Sequence, residues 1–248
     1  MSRDAVAGVL LDLDDTLIDT TAALVAAGTV AMAALWPDVP AEVHLAASRM
    51  YRDDPAGLFR RFTLGELTFE EVRTRRLTAV CEKFSLQPLD DAGLRYESAF
   101  APAFRAAYRE PGRLFEDTLP LIERIRAEGK PVGLLTNSND DFTAAKLEST
   151  GLAGLFDCVV TRDALGFGKP DPRVFHHTCR MIGIDPASST YIGDDLHADA
   201  LGAAAAGMTG IWLRRAVGGE DSKVAFDRPP SDDEVPPHIR IIETLADL

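Results

Sequence analysis

The chain has 248 residues, of which 46% are hydrophobic and 26% are charged. Such a composition predicts one well-packed domain, or one domain that carries a sizeable insert. It excludes the interpretation of the whole chain as a disordered segment. The formal net charge of -13, with no block of Lys or Arg, argues against binding to a nucleic-acid backbone or to an anionic membrane surface.

The three cysteines indicate neither a disulfide framework nor a zinc site. Cys81, Cys158 and Cys179 are widely spaced and form no Cys-x-x-Cys pair, so we expect a reducing, cytoplasmic environment. The apolar stretch at residues 22–36 is shorter than the roughly 20 residues of a membrane-spanning helix, and the run at residues 6–11 is too short for a signal peptide. We therefore expect no membrane partner.

The first predicted strand is the apolar run at residues 6–11, and a long helical segment follows it. Residues 20–113 contain no convincing β run, and their apolar residues recur with the helical period in about four stretches. This pattern predicts an α-helical domain inserted at residues 20–113. Residues 1–19 and 114–248 would then form a separate α/β domain.

From residue 120 onward, strands and helices alternate. Strands are predicted in VGLLTN, DCVVT, TYIGDD and GIWL, and the helices between them end at Gly151, Gly183 and Gly207. Strands joined by helices of this length imply right-handed crossovers and a Rossmann-like parallel sheet with helices on both faces. Residues 218–237, rich in Pro and acidic residues, are predicted to be a loop, and residues 238–248 to hold a final edge strand.

Polar residues cluster where the predicted strands end. Asp12 and Asp14 follow the first strand, Thr136 follows the second, Lys169 precedes the fourth, and Asp194 follows the fourth. Because a parallel sheet has its binding crevice outside the carboxyl ends of its strands, we expect these side chains to lie together. Neighbouring carboxylates repel one another without a counter-charge, and a site with oxygen ligands and room for water is typical of Mg²⁺. The crowded acids therefore predict a Mg²⁺ site.

Four segments in chain order resemble the motifs of the haloacid dehalogenase-like hydrolase superfamily. They are DLDDT at 12–16, LLTNS at 134–138, GFGKPDPRVF at 166–175 and GDDLHAD at 193–199. The segment at 20–113 resembles the α-helical cap that this superfamily inserts after its first motif. The resemblance covers nearly the whole chain, and it depends on all four motifs occurring together because each alone is short.

The resemblance implies a covalent mechanism of phosphate-ester hydrolysis. It assigns Asp12 as the nucleophile that forms an aspartyl-phosphate. It assigns Asp14 as the group that protonates the leaving oxygen and later takes a proton from water. Thr136 and Lys169 would stabilise the charge on the transferring phosphoryl oxygens.

A metal site follows from the same resemblance. Asp12, Asp194 and the main-chain carbonyl of Asp14 are the expected Mg²⁺ ligands. Asp199 is expected to support the metal from behind, and Asp195 is the second choice for that position.

Substrate contacts are implied at three further positions. Asn137 is a candidate contact, and a role in the turn is equally consistent with its position. In the expected cap, Arg60 and Arg61 are candidates for binding a second anionic group of the substrate. The alternative for both is a solvated helix surface.

The expected function is Mg²⁺-dependent hydrolysis of a small phosphorylated metabolite. A phosphomutase is an alternative, because it shares the aspartyl-phosphate step. A 2-haloacid dehalogenase is disfavoured, since dehalogenases of this superfamily lack an acid equivalent to Asp14. A phospho-Asp signalling module, the alternative from another class, is disfavoured because receiver domains are shorter and carry their Lys after the strand that supplies the Thr or Ser.

Overall fold

The computed structural model describes residues 7–108, 112–215 and 235–248. These residues fall into two compact units. The sheet unit comprises residues 7–20, 112–215 and 235–248, and the helical unit comprises residues 21–108. Most of the predicted loop at residues 218–237 lies outside the described residues.

The sheet unit is built on six parallel strands, with the bounds β1 Val9–Leu11, β4 Val132–Leu135, β5 Cys158–Val160, β6 Thr190–Gly193, β7 Thr209–Leu213 and β8 Arg240–Ile242. Their order in the sheet is β5-β4-β1-β6-β7-β8. Every residue of β1, β4 and β6 is buried, which explains why these strands read as continuous apolar runs. The predicted α/β parallel sheet is confirmed.

Helices cover both faces of the sheet. Their bounds are α7 Thr118–Ala127, α8 Asp140–Thr150, α9 Pro172–Ile182 and α10 Gly202–Ala205, the last preceded by a π-helical turn at Leu196–Leu201. Leu11 packs in a core with Ile122 of α7 and Leu147 of α8, whereas Leu10 packs with Phe175 of α9 on the other face. Successive residues of a strand point to opposite faces, so β1 contributes to both cores.

A short antiparallel pair, which the sequence pattern did not predict, joins Ile18–Asp19 (β2) to Arg113–Leu114 (β3). Each strand has two residues, too few to produce a periodic pattern. Gly112 is required beside it, because its φ is 128° and a Cβ there would lie 2.5 Å from the Asp19 carbonyl oxygen. The pair lies at the two places where the chain leaves and re-enters the sheet unit.

The helical unit contains more elements than the four predicted helices. Its helices are α1 Thr21–Leu35, α2 Ala41–Asp53, α3 Leu58–Thr63, α4 Phe69–Phe84, α5 Ala92–Arg95 and α6 Ala101–Ala107, with a π-helical turn at Tyr96–Phe100. The last of the four predicted stretches is divided into α5, the π-helical turn and α6. The other additional helix, α3, has six residues and escapes a periodicity test. The unit has its own core, which includes Met32, Leu77 and Phe100. None of the helices in the described residues combines the length and apolar character needed to cross a bilayer.

A partly buried ion pair ties the end of the chain to the loop after β1. The Asp117 carboxylate accepts hydrogen bonds from the Arg215 guanidinium at 3.0 and 2.7 Å, from the Thr244 hydroxyl at 2.5 Å and from the Leu245 amide at 2.8 Å. Burial alone would raise the pKa of Asp117, but the hydrogen bonds from Arg215 and Thr244 hold it below its ordinary value. Arg215 also donates to the Thr16 carbonyl oxygen at 3.1 Å, and this bond fixes the loop that carries the first acidic motif.

Candidate active site

The chain leaves β1 at Leu11 and turns sharply, which brings the acids of the first motif out of the sheet. The Asp12 amide still donates to the Ile192 carbonyl of β6 at 2.9 Å. Asp15 then has a φ of 57°, a left-handed conformation. Its carboxylate accepts from both the amide and the hydroxyl of Thr20 at 3.1 Å, and these bonds hold the turn. A turn at this point is what a shared crevice for Asp12 and Asp14 requires.

The Lys169 ammonium is the centre of the site. It donates to Asp12 Oδ1 at 2.5 Å, to Asp199 Oδ1 at 2.6 Å and to the Tyr191 hydroxyl at 2.7 Å, and Lys169 is 3% exposed. Tyr191 in turn donates to the Leu135 carbonyl oxygen at 2.8 Å. Burial alone would lower the pKa of Lys169, but the two carboxylates raise it above its ordinary value. Lys169 therefore stays charged, with all three N–H groups engaged.

Tyr191 is a member of the site that the sequence analysis missed. It is fully buried in β6 and its ring packs edge-on against Phe175. A tyrosine in an apolar strand usually reads as a packing residue, and only its buried hydroxyl, which needs a partner, pointed to a polar neighbour.

Asp194 and Asp199 follow β6 and complete a cluster of carboxylates. One oxygen each of Asp12, Asp194 and Asp199 lie within 4.8 Å of one another. Asp199 is braced on both oxygens, since Lys169 binds Oδ1 and the Asp195 amide donates to Oδ2 at 3.0 Å. Gly193 makes room for it, because a Cβ there would lie 2.2 Å from Asp199 Oδ2.

Asp195 has a different role from Asp199. It is exposed, and its carboxylate accepts from the amides of His197 and Ala198 at 2.8 Å, as the N-cap of the π-helical turn. Of the two acids that the sequence left open behind the metal, Asp199 is the one bonded to Lys169.

The cluster carries more negative charge than the described residues neutralise. Burial, more than any other cause, raises the pKa of Asp12 from 3.8 to about 7; the charges of Asp199 and Asp14 add to this effect and Lys169 opposes it. The pKa of Asp194 is raised well above its ordinary value by burial and by the charges of Asp15 and Asp12. In the described part of the chain, no Lys or Arg forms an ion pair with Asp194.

The donor set fits a divalent cation. Carboxylate oxygens are the ligands that Mg²⁺ prefers, and a doubly charged ion would relieve the repulsion among Asp12, Asp194 and Asp199. Because both oxygens of Asp199 are already bonded within the protein, Asp12 and Asp194 are the carboxylates best able to hold the ion. Asp199 fits the supporting position behind them.

Thr136 lies at the carboxyl end of β4, directly after its last residue, Leu135. Its amide donates to the Val160 carbonyl at 3.0 Å, and its hydroxyl accepts from the Ser138 amide at 3.1 Å. The side chain is buried, and the hydroxyl hydrogen remains available as a donor.

Asn137 clamps the main chain of Lys169. Its side-chain amide donates to the Lys169 carbonyl at 2.9 Å, and its side-chain carbonyl accepts from the Lys169 amide at 2.7 Å. Gly168 permits this contact, since a Cβ there would lie 2.1 Å from Asn137 Oδ1. Of the two roles that the sequence allowed for Asn137, this geometry supports the one in the loop. One N–H of the Asn137 side-chain amide is not used by these bonds, and the contact of Asn137 with a substrate stays a prediction.

Asp14 is paired with a lysine that the sequence analysis did not single out. Lys146 of α8 donates from Nζ to Asp14 Oδ1 at 2.5 Å. The Asp14 side chain is not part of the three-carboxylate cluster, so its expected metal contact depends on its main-chain carbonyl. The sequence feature that could have identified Lys146 is its helical spacing: it lies three residues after Thr143 and next to Leu147, on the buried face of α8.

Arg60 and Arg61 lie in α3 of the helical unit. Arg60 is exposed. Arg61 donates from Nε to Glu66 Oε2 at 3.0 Å, an ion pair between half-exposed side chains. Their contact with a substrate stays a prediction.

Replacing Asn137 with Ala should loosen the Lys169 loop. Loss of two hydrogen bonds, each contributing about 1 kcal/mol, should speed exchange of the Lys169 amide hydrogen by roughly tenfold or more. Hydrogen–deuterium exchange read by mass spectrometry on peptides spanning 166–171 measures this rate. Gly168→Ala should have the same effect. Ser138→Ala, whose hydroxyl makes no hydrogen bond within the described residues, is the control. Unchanged exchange in Asn137→Ala would contradict the clamp.

One related sequence and two solved structures resemble the chain over most of its length. A phosphoserine phosphatase from Thermus thermophilus is 29% identical over 233 residues, which cover 88% of this chain and 93% of that protein. The structure of the putative HAD-hydrolase YfnB from Bacillus subtilis, bound to magnesium, matches with a TM-score of 0.73 at 22% identity, over 98% of this chain and 96% of that one. The L-2-haloacid dehalogenase RSc1362 matches with a TM-score of 0.66 at 22% identity and the same coverage.

The structural likenesses, all at low identity, establish the fold. The family is established by the sequence itself. The model of the haloacid dehalogenase-like hydrolases matches residues 6–207, and the chain therefore belongs to the haloacid dehalogenase-like hydrolase family.

Proposed function

We propose that the protein is a Mg²⁺-dependent phosphomonoesterase that acts on a small phosphorylated metabolite through an aspartyl-phosphate on Asp12. The observation that carries the proposal is the buried Lys169 ammonium, bonded to the Asp12 carboxylate next to Asp194. A carboxylate held between a fixed cation and a metal site is suited to approach an anionic phosphate ester, because its own charge and that of the substrate are compensated.

In the first step, an oxygen of Asp12 attacks phosphorus and the ester P–O bond breaks. Asp14, protonated, gives its proton to the leaving oxygen, so an alcohol departs and Asp14 becomes a carboxylate. Lys169 and the Thr136 hydroxyl supply positive charge and a donor beside the phosphoryl oxygens. A bound Mg²⁺, held by Asp12 and Asp194, would supply further neutralising charge.

In the second step, a water oxygen attacks phosphorus and the bond from phosphorus to Asp12 breaks. Asp14 takes a proton from the water, which restores its acid form, and inorganic phosphate leaves. The two steps use the same acid in opposite directions, and this divides one difficult hydrolysis into two transfers.

Asp14 favours phosphate-ester hydrolysis over dehalogenation. A halide leaves as a stable anion and needs no proton, whereas an alkoxide needs one, and Asp14 is a carboxyl group with its side chain 31% exposed beside Asp12. The relative from Thermus thermophilus, a phosphatase, supports the same choice.

Asp12→Asn should abolish hydrolysis of p-nitrophenyl phosphate. An amide cannot act as the nucleophile, so kcat should fall by about a thousandfold or more, and a chelator should have a comparable effect on the wild type. The measurement is the release of p-nitrophenol with Mg²⁺ and with the chelator. Asp38→Asn, at an exposed position of the helical unit, is the control and should retain activity. An active Asp12→Asn protein, or turnover that resists the chelator, would contradict the proposal.

Mg²⁺ binding should strengthen as the pH rises toward neutrality. Without a cation, the pKa of Asp12 is about 7, so below that value a proton competes with the metal for the carboxylate. Titration calorimetry from pH 5.5 to 8.5 should show Kd falling by up to about tenfold per pH unit below pH 7 and levelling above it. An affinity that does not depend on pH would contradict a metal bound at Asp12.

A rise in pH strengthens Mg²⁺ binding but lowers the stability of the metal-free fold, and both effects come from the raised pKa of Asp12. Since the folded-state pKa lies above the ordinary 3.8, the metal-free folded protein binds more protons than the unfolded chain between these two values. The Asp12 contribution therefore stabilises the fold at low pH and is lost as the pH rises through about 7. Added Mg²⁺ should offset this loss.

We propose that the helical unit selects the substrate and that Arg60 and Arg61 bind a second anionic group. Arg60 is the sharper test, because Arg61 is already paired with Glu66. In a panel of phosphorylated metabolites, Arg60→Ala should raise KM for substrates with a second anionic group and leave p-nitrophenyl phosphate unchanged. The same ranking of substrates in variant and wild type would exclude this role.

A further inference from the structure

Helix α8 buries a lysine on the face that packs toward the sheet. Lys146 is 6% exposed, and its neighbours on that face are Thr143 and Leu147, which are also buried. Its ammonium donates to Asp14 Oδ1 at 2.5 Å. Asp14 lies 132 residues away in the chain, so the fold brings the pair together.

A buried ammonium without a hydrogen-bond acceptor is costly, so the position of Lys146 requires an acceptor oxygen. Asp14 Oδ1 can accept from Lys146 both when Asp14 is a carboxylate and when Oδ2 carries a proton. Asp14 is the only carboxylate that forms an ion pair with Lys146 in the described ranges. A lysine with access to water has no such requirement. Lys130, whose side chain is 28% exposed, pairs with Glu128, whose side chain is 50% exposed. The ion pair therefore fixes Lys146 and Asp14 relative to each other.

Asp14 has one oxygen bound and one oxygen without a recorded bond. Lys146 holds Oδ1, and no hydrogen bond to Oδ2 is recorded within the described residues. A carboxyl group anchored through one oxygen has a defined plane, and its other oxygen points in a defined direction. This arrangement suits an acid that must meet a leaving oxygen at one position.

We propose that Lys146 is a positioning residue for Asp14, an inference that depends on the proposed function. Lys146 keeps its own protons throughout. Asp14 gives a proton from Oδ2 to the ester oxygen as the P–O bond breaks, and Oδ2 takes a proton from water as the oxygen of that water bonds to phosphorus and the bond to Asp12 breaks. Lys146 determines where Oδ2 lies during both transfers.

The test uses substrates that need the proton to different degrees. In a series of phenyl phosphates from p-nitrophenyl to p-methoxyphenyl, the leaving phenol becomes less acidic while the substrate shape changes little. Lys146→Met should lower kcat/KM for p-methoxyphenyl phosphate by between about tenfold and a hundredfold, and by no more than about threefold for p-nitrophenyl phosphate. Asp14→Asn should steepen the same dependence, and Lys146→Arg, which keeps the charge, should give an intermediate slope.

Two controls separate positioning from general damage to the fold. Lys130→Met removes a partly exposed lysine that pairs with Glu128 instead of Asp14, and it should leave the whole series unchanged. In the Asp14→Asn background, Lys146→Met should cause no further loss, because its effect passes through Asp14. An equal loss for all members of the series, or a full additional loss in the double variant, would overturn the inference.

The outcome also distinguishes this inference from the proposed function. If the wild type hydrolyses the series and Asp14→Asn steepens the dependence but Lys146→Met does not, the inference falls and the proposed function stands. If the wild type hydrolyses no member of the series, or if Asp12→Asn retains activity, both fall. Should Lys146→Met fail to fold by circular dichroism, Lys146→Arg supplies the same comparison, and a slope equal to that of the wild type would overturn the inference.

Discussion

The three hydrogen bonds of the buried Lys169 ammonium are the constraint on which the candidate site depends. A charge this deep is stable only when its donors meet acceptors, and Asp12, Asp199 and Tyr191 provide them. Residues next to this hydrogen-bond cluster hold Lys169 and Asp199 in position. Asn137 and Gly168 fix the main chain of Lys169, and Gly193 leaves room for Asp199. We expect a change at any of these positions to alter the contact of Lys169 with Asp12.

Two aspartates two residues apart have different surroundings, and this difference separates their proposed roles. Asp12 is buried, bonded to Lys169 and close to the other acids of the cluster, which is the environment of a nucleophile beside a metal. Asp14 is partly exposed and bonded to Lys146 on another helix. Assigning acid and nucleophile by environment is a general feature of paired carboxylates in enzymes. Here each carboxylate has its own buried lysine, Lys169 for Asp12 and Lys146 for Asp14.

The sheet and the positions of the motif residues could be predicted from the sequence, because buried parallel strands are short apolar runs and the motif residues follow them directly. The pairing of Asp14 with Lys146, and of Lys169 with Tyr191, could not, since each joins residues far apart in the chain and leaves no periodic signal. Helix α3 and the β2–β3 pair were missed because they are too short for a pattern. For Asn137 the sequence allowed two roles, and only the position of the Lys169 main chain favours one of them.

Trapping of the phosphorylated enzyme tests the central claim most directly. An acyl phosphate is reduced by borohydride, so enzyme quenched during turnover of a phosphate ester with Mg²⁺, then reduced and digested, should contain homoserine at position 12. Enzyme quenched without substrate should retain Asp12 unchanged. Reduction at a different aspartate, or none in enzyme that is turning over, would contradict a nucleophile positioned by Lys169.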